Sequence, residues 1–368
     1  MLTSLPPELL HQIIESTVPH TFYPRTYYER QRTLSSLSLV SKRFQVIAQP
    51  LLYEIVWIKS LVTLTRYKWT ISSCRESDRG VGKAWRPKTA VIGSNHWDRS
   101  KQLSEEAMSK EILEWLSSVR LLTWDLNSAP VEGFPSLTGF SDLSSLHLSR
   151  VSWTPGNVPS LPQLRSLSMF AVNSPLMGSL LDPQVVPSLK HFSLVDTPGE
   201  SVRQLKRSRI ADLLPQLETL YLHARIWLHP ELSFLHSASE RTLIDSNSWD
   251  WNNSTDSMAR IVNLRLMATY LDGTQRQIRN VEEDLKRWVS VLQSTSEPSL
   301  RSIYLDSSLR PHSILSPPIS TSMDKLVVLC RKRSVELVFD VVPNDFRFDT
   351  WISAEFVKRQ KTRQNEVE

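Results

Sequence analysis

The sequence has little cysteine and little glycine, with Cys74 and Cys330 as its two cysteines and only nine glycines in 368 residues. Two cysteines cannot form a disulfide framework and are too few for a zinc site alone, which predicts an intracellular, reduced chain. Scarce glycine argues against a nucleotide enzyme, because phosphate-binding loops need clustered glycines for close approach of the backbone.

Long apolar runs are also missing. No stretch approaches the roughly 18 uninterrupted apolar residues of a membrane helix. The N-terminus lacks the basic start and apolar core of a signal peptide, so neither a signal peptide nor a membrane partner is expected. These absences predict a cytoplasmic or nuclear protein.

Charge is nearly balanced, with 43 Lys and Arg against 38 Asp and Glu, but it is unevenly distributed. Residues 59–101 carry ten basic and three acidic side chains, with Trp69, Trp85 and Trp97 between them. Such a segment could bind nucleic acid or phosphorylated or acidic peptides. The favoured interpretation is a flexible, solvated insertion, possibly with a first degenerate repeat strand at 88–93.

The first sixty residues predict helices. Pro6 and Pro7 suit a first helical turn, and apolar residues then recur at helical spacing. Ser41 is placed to cap a further helix, and Pro50 is expected to end it. The apolar positions are Leu9, Leu10, Ile13, Ile14, Leu34, Leu37, Val40, Phe44, Ile47 and Ala48.

The order of these residues resembles the F-box over about residues 3 to 58. It reads Leu-Pro-x-Glu-Leu-Leu-x-x-Ile-Ile, then Leu-Ser-Leu-Val-Ser-Lys-Arg-Phe, then Ala-x-Pro-Leu-Leu-Tyr. The resemblance implies docking onto the Skp adaptor of a cullin-RING (SCF) ubiquitin ligase. The implied adaptor-binding residues are Leu5, Pro6, Leu9, Leu10, Ile13, Ile14, Leu37, Val40, Ser41 and Phe44. The alternative is that these helices merely cap the following domain.

A repeated signature occupies the rest of the chain, with apolar residues at i, i+3 and i+5. It occurs at Val119/Leu122/Trp124, Leu143/Leu146/Leu148, Leu164/Leu167/Met169, Leu189/Phe192/Leu194, Leu217/Leu220/Leu222, Ile261/Leu264/Leu266 and Leu300/Ile303/Leu305. The last two positions are two apart, as in a strand with one buried face. Connections of about 20 residues predict an α/β fold in which an irregular leucine-rich-repeat-like solenoid spans 102–356.

Segments outside this signature complete the predicted architecture. Residues 277–293 and a segment from Ser104 to Leu116 predict helices, and 335–341 predicts a closing strand. Residues 229–258 predict a helix or loop excursion, and 357–368 a charged tail. The predicted domains are therefore 1–58, 59–101, 102–356 and the tail.

No catalytic motif was found, and the nine histidines are scattered, so we expect neither enzyme activity nor a metal or cofactor. Function in a solenoid more often lies on its concave sheet face. Interface-type side chains at those positions predict a substrate-binding row. It consists of His147, Phe170, Tyr221, His223, Arg265, Met267, Tyr304 and Asp306.

The sequence therefore predicts a non-catalytic substrate-recognition subunit of a ubiquitin ligase, whose partners are a Skp adaptor, the cullin-RING proteins and a substrate protein. Two alternatives remain from the sequence. One is a repeat scaffold capped by the N-terminal helices. The other, less expected, is a nucleic-acid binder using residues 59–101.

Overall fold

A computed structural model gives the conformation of most of the chain. It describes residues 5–18, 24–76, 87–93, 110–125, 137, 139–151, 158–170, 172, 174–195, 202, 205–246, 261–266, 275–294, 299–306, 309, 317–340, 358, 359 and 362. The chain divides into two compact units, the first formed mainly by Met1–Ser188 and the second mainly by Leu189–Asn344.

Three helices begin the first unit: α1 (Pro7–Thr17), α2 (Pro24–Ser38) and α3 (Lys42–Tyr53). Helix α1 starts with a proline and carries Glu8 in its first turn, which complements the helix dipole. The Ser41 side chain accepts a 3.3 Å hydrogen bond from the Phe44 amide and caps α3, as predicted.

The prediction that Pro50 ends α3 is wrong, because the helix continues to Tyr53 with Pro50 inside it. Proline removes one helical hydrogen bond near the end of the helix. Leu51, the next residue, is buried in the core of the three helices. That burial holds the last turn in place.

The first unit continues with five strands, each parallel to the next along the chain. They are β1 (Ile55–Ile58), β2 (Thr89–Gly93), β3 (Leu121–Asp125), β4 (Ser145–Ser149) and β5 (Ser166–Phe170). Connections in this unit include α4 (Leu61–Glu76), α5 (Lys110–Trp115), a 3₁₀ turn at Leu116–Ser118 and, after β5, α6 (Ser174–Leu180).

The second unit has six parallel strands, again in chain order. They are β6 (His191–Val195), β7 (Thr219–His223), β8 (Thr242–Ser246), β9 (Asn263–Leu266), β10 (Ser302–Asp306) and β11 (Glu336–Asp340). The helices are α7 (Ile210–Leu213), α8 (Ala224–Trp227), α9 (Gln275–Ser294) and α10 (Pro317–Lys332), with 3₁₀ turns at Leu214–Gln216 and Pro230–Arg241.

Recurring backbone hydrogen bonds set the start of successive strands: the carbonyl before one strand accepts from amides at the start of the next repeat. We name this arrangement the carbonyl relay. The Glu54 carbonyl accepts from the amides of Lys88 and Thr89, and the Lys88 carbonyl accepts from Arg120 and Leu121. The same relay passes through the carbonyls of Arg120 and Ser144 in the first unit. In the second unit it uses the carbonyls of Lys190, Val262 and Arg301. Each of these carbonyls accepts from two amides of the following repeat, except that of Arg301, which accepts from the Glu336 amide.

The predicted repeat signature is confirmed as strand structure. Its seven copies lie at β3, β4, β5, β6, β7, β9 and β10, and all of their apolar positions are at most 5% exposed. These side chains form the core beneath each sheet. The predicted strands at 88–93 and 335–341 are present as β2 and β11, and the predicted helix at 277–293 is α9.

Strand β8 escaped the sequence analysis. The predicted excursion at 229–258 contains β8, whose Thr242 lies opposite Leu220 and whose Ile244 lies opposite Leu264. The long step of 44 residues between the two neighbouring copies of the signature therefore holds an additional strand. It was missed because Thr242 occupies a position that is apolar in the other copies.

Residues 59–101 were predicted to be a flexible insertion, and their described part is ordered instead. Helix α4 and strand β2 occupy it, and β2 pairs with both β1 and β3. Strand β1 itself begins within the segment assigned to the F-box. The sequence analysis did not predict β1, although Tyr53, Val56 and Ile58 fit the apolar spacing of the signature.

Other helices were only partly predicted. Helix α10 was not predicted, and it packs against α9. The predicted helix from Ser104 to Leu116 is described from Lys110 onward as α5 and the following 3₁₀ turn, and 104–109 lie outside the described residues. None of the described helices combines the length and apolarity that crossing a membrane requires.

Candidate protein-interaction surface

The three N-terminal helices have a small hydrophobic core of their own. Its buried members are Leu10, Ile14, Val18, Leu34, Phe44, Ala48 and Leu51, with Leu37, Ile47 and Leu52 packed against it. Leu10 and Ile14 lie one turn apart on α1, and Phe44, Ala48 and Leu51 share one stripe of α3. The apolar stripes of the three helices thus pack against one another.

A second set of apolar side chains on these helices faces solvent. Leu9 and Ile13 project from α1, Leu39 and Val40 lie in the turn between α2 and α3, and Val46 lies on α3. Leu39 is 86% exposed and Val46 is 73% exposed. We name these five side chains the apolar surface.

One hydrogen bond brings parts of the apolar surface together. The Arg43 guanidinium donates to the Leu5 carbonyl, which places the first turn of α3 beside the start of α1. Val46 lies three residues after Arg43 on the same side of α3, and Val40 lies in the turn just before α3. The start of α1, the α2–α3 turn and the outer side of α3 are therefore neighbours.

The charges beside the α3 part of the apolar surface are basic, whereas Glu8 lies next to Leu9 on α1. Lys42 and Arg43 occupy the first turn of α3, where a cation opposes the helix dipole. This placement is unfavourable for the isolated helix. The apolar surface and its basic edge together fit a partner that offers apolar side chains and carboxylates.

Glu54 ties the helices to the strands of the first unit. It is the single residue between α3 and β1. Its carboxylate accepts from Arg30 at 3.0 Å and from Lys88 at 2.9 Å, and Arg30 also donates to the Leu51 carbonyl at 3.3 Å. Burial lowers the pKa of Arg30, and the charge of Glu54 acts in the opposite direction. The apolar surface is thus fixed relative to β1 and β2.

The predicted adaptor-binding residues divide between the apolar surface and the core. Pro6, Leu9, Ile13 and Val40 are exposed, and Leu5, Leu37 and Ser41 are half-buried. Leu10, Ile14 and Phe44 lie in the helical core, so the assignment of these three as direct contacts is corrected. The sequence analysis missed Leu39 and Val46, although Val46 lies off the Phe44/Ile47/Ala48 stripe and could have been found by that criterion.

The predicted substrate-binding row is packed rather than open. Tyr221 and Tyr304 lie in a buried cluster with Leu243 and Val338, and the Arg265 guanidinium donates to the Tyr221 hydroxyl at 2.9 Å. His147 is buried beside Ser168, with 2.8 Å between Nδ1 and Oγ, and burial lowers its pKa to about 4. These four residues do not offer an open surface, which corrects their assignment.

The remaining members of the row are less buried or undescribed. Phe170 and His223 are half-buried at the ends of β5 and β7. Met267 and the side chain of Asp306 lie outside the described residues. The residues between apolar strand positions were predicted to face solvent. Alternation shows on which face of the strand a side chain lies, but not whether that face is exposed.

Within the described residues, no group of three or more His, Cys, Asp or Glu side chains is arranged to hold a metal ion. One buried charged pair, Asp125 with Arg150, joins the end of β3 to the residue that follows β4. The apolar surface on α1–α3 is the candidate functional site.

Comparison with known proteins identifies no family. No protein-family model matches the chain, and no curated protein matches it. Any function therefore has to be argued from the residues and the surfaces described above.

Proposed function

We propose that this chain is the substrate-recognition subunit of an SCF-type (cullin-RING) ubiquitin ligase, acting in the cytoplasm or nucleus. In this proposal α1–α3 are an F-box that docks a Skp adaptor. The parallel strands and their connections are an irregular leucine-rich-repeat-like solenoid that carries the substrate protein.

The apolar surface is the observation that carries the proposal. The three helices have completed their own core, yet five apolar side chains remain in solvent beside it. Exposed apolar clusters of this kind mark interaction sites. Burying a fully exposed Leu, Ile or Val contributes about 1.5 to 3 kcal/mol, and these five are 41% to 86% exposed, so together they give about 5 to 9 kcal/mol before the cost of association.

The connection through Glu54 supports the same role. A substrate receptor raises the local concentration of its substrate near a conjugating enzyme and needs no bond chemistry of its own. A docking module fixed to the first strands transmits the position of the adaptor to the sheet. Helices that float on a linker would lose that positional constraint.

The test is co-expression with a Skp adaptor and measurement of binding by pull-down and titration. The variant is Leu9→Asp combined with Val46→Asp, two exposed positions on different helices. Each charge placed in an apolar interface costs about 2 kcal/mol or more, so adaptor affinity falls more than about 100-fold. Thermal stability changes little, because both side chains are already exposed.

Val328→Asp on α10 is the matched control, since Val328 is 64% exposed and lies in the second unit. It leaves adaptor binding unchanged. Wild-type protein that fails to bind an adaptor overturns the proposal and favours a repeat scaffold with a helical cap. An unaffected Leu9/Val46 variant refutes the placement of the docking surface.

A further inference from the structure

Helix α4 presents an exposed row of three unlike side chains. Val62, Arg66 and Trp69 are spaced by four and three residues, so they lie on one face of the helix over about 10 Å. Val62 is 55% exposed and Trp69 is 73% exposed, and Trp69 is among the most exposed large hydrophobic side chains described. We name these three residues the α4 row.

Hydrogen bonds of Ser60 and Thr63 cap the start of the helix that carries this row. Thr63 Oγ1 accepts from the amides of Lys59 and Ser60 at 3.0 and 2.9 Å, and Ser60 Oγ accepts from the Thr63 amide at 3.3 Å. Leu64, on the opposite side, is buried. Trp69 is therefore exposed on a helix whose start is capped and whose Leu64 is buried on the other side.

Aromatic and basic groups continue at the start of α4. The Lys59 ammonium lies 4.7 Å from the centre of the Tyr28 ring, and Tyr28 is itself 45% exposed. Tryptophan, tyrosine and arginine are the residues that dominate binding energy in protein interfaces. Residues 59–70, whose side chains the structure describes, include three basic and no acidic residues, so a complementary partner is acidic.

The described surface fits a protein better than a nucleic acid. Strong nucleic-acid binding neutralises about six to ten phosphates, whereas the start of α4 offers three basic side chains, Lys59, Arg66 and Lys68, and Lys59 lies over the Tyr28 ring. Val62 would have no role against a phosphate backbone. An apolar side chain of a peptide, flanked by carboxylates, complements Val62, Trp69 and Arg66 together.

We propose that the α4 row is a second protein-docking surface, which binds an acidic peptide segment carrying an apolar side chain. The proposal does not depend on adaptor docking, since it uses none of the residues of the apolar surface. Its failure is therefore distinguishable from failure of the proposed function, because α4 variants leave adaptor binding intact.

The experiment uses the full-length protein and a fluorescein-labelled twelve-residue peptide of Asp, Glu and Leu, with binding followed by fluorescence anisotropy. A peptide with Asn and Gln in place of the acids and a single-stranded oligonucleotide of twelve nucleotides are compared with it. Trp69→Ala and Arg66→Glu each weaken binding of the acidic peptide at least about 10-fold. Trp69→Phe retains most of the affinity.

A matched pair on α10 controls for loss of exposed charge and apolar area. Lys325→Glu and Val328→Ala change an exposed cation and an exposed valine in the second unit and leave binding unchanged. Equal binding of the neutral peptide, an acidic-peptide affinity insensitive to Trp69→Ala, or absence of saturable binding overturns the proposal. Tighter binding of the oligonucleotide that Trp69→Ala abolishes assigns the row to nucleic acid instead.

Discussion

Replacing Glu54 with alanine tests how firmly the helices are joined to the first strands. Arg30 is only 3% exposed, and its guanidinium lies 3.0 Å from the Glu54 carboxylate. The variant leaves the Arg30 guanidinium buried beside the Leu51 carbonyl without that carboxylate. Because a buried cation is far more costly without its counter-charge, we expect α2 and α3 to open more readily.

The magnitude follows from the geometry. Breaking a buried ion pair from one side costs about 3 to 5 kcal/mol. Glu54 is 24% exposed and Arg30 keeps the Leu51 carbonyl, so we expect a loss of about 2 to 3 kcal/mol. At about 1.4 kcal/mol per factor of ten, this corresponds to opening about 30- to 100-fold more often.

Hydrogen exchange of peptides covering α2 and α3, read by mass spectrometry, measures this opening directly. Lys88→Ala is the matched control. It removes the other ion pair of Glu54, whose lysine is 63% exposed, and such pairs contribute at most about 1 kcal/mol. Exchange in that variant rises less than about 5-fold.

Arg30→Met supplies the decisive comparison. It removes the buried charge while filling its volume, and Glu54 keeps Lys88 and solvent contact. We therefore expect Arg30→Met to accelerate exchange less than Glu54→Ala does. The opposite order would refute the claim that an uncompensated buried charge is the dominant cost.

Two further predictions concern the strands of the first unit. Gly93→Ala destabilises the protein by about 1 to 3 kcal/mol in thermal or urea unfolding, because its Cβ would lie 2.6 Å from the Asp125 carbonyl oxygen. Gly139→Ala, with its nearest neighbour 3.8 Å away, is the neutral control, and equal effects would contradict the reasoning. Burial lowers the pKa of His147 to about 4, so its contribution to stability is complete above its ordinary value near 6.5 and is lost as the pH falls toward 4. His147→Gln should abolish that component, roughly 3 kcal/mol in urea unfolding between pH 7 and 4, and an unchanged pH dependence would argue against it.

Much of the fold could be predicted from the sequence, because buried strands produce a clear periodic pattern of apolar residues. Each copy of the signature places two side chains into the core from one strand, and burial makes their apolar character obligatory. The copy in β8 left no such trace, because Thr242 fills a core position and donates its hydroxyl to the Ala238 carbonyl at 2.6 Å. A polar residue with a local acceptor is as well buried there as leucine.

The candidate surfaces were harder to predict, because exposure depends on what packs opposite. On α1 the pairs Leu9/Leu10 and Ile13/Ile14 are chemically alike, yet one member of each pair is core and the other faces solvent. On the sheets, Tyr221 and Arg265 match interface composition but satisfy each other across strands. Helix α4 was not predicted, because its sequence is polar and basic and the two residues that hold its start, Ser60 and Thr63, are common residue types.

The carbonyl relay makes strand alignment independent of connector length. In the first unit, successive relay residues Glu54, Lys88, Arg120, Ser144 and Arg165 are separated by 34, 32, 24 and 21 positions, yet the first four carbonyls make the same pair of bonds. The strands joined by these bonds are therefore aligned in the same way, whatever the length of the connection between them. Such a protein can lengthen, shorten or replace its connections, and acquire new surfaces on them, while neighbouring strands keep their pairing.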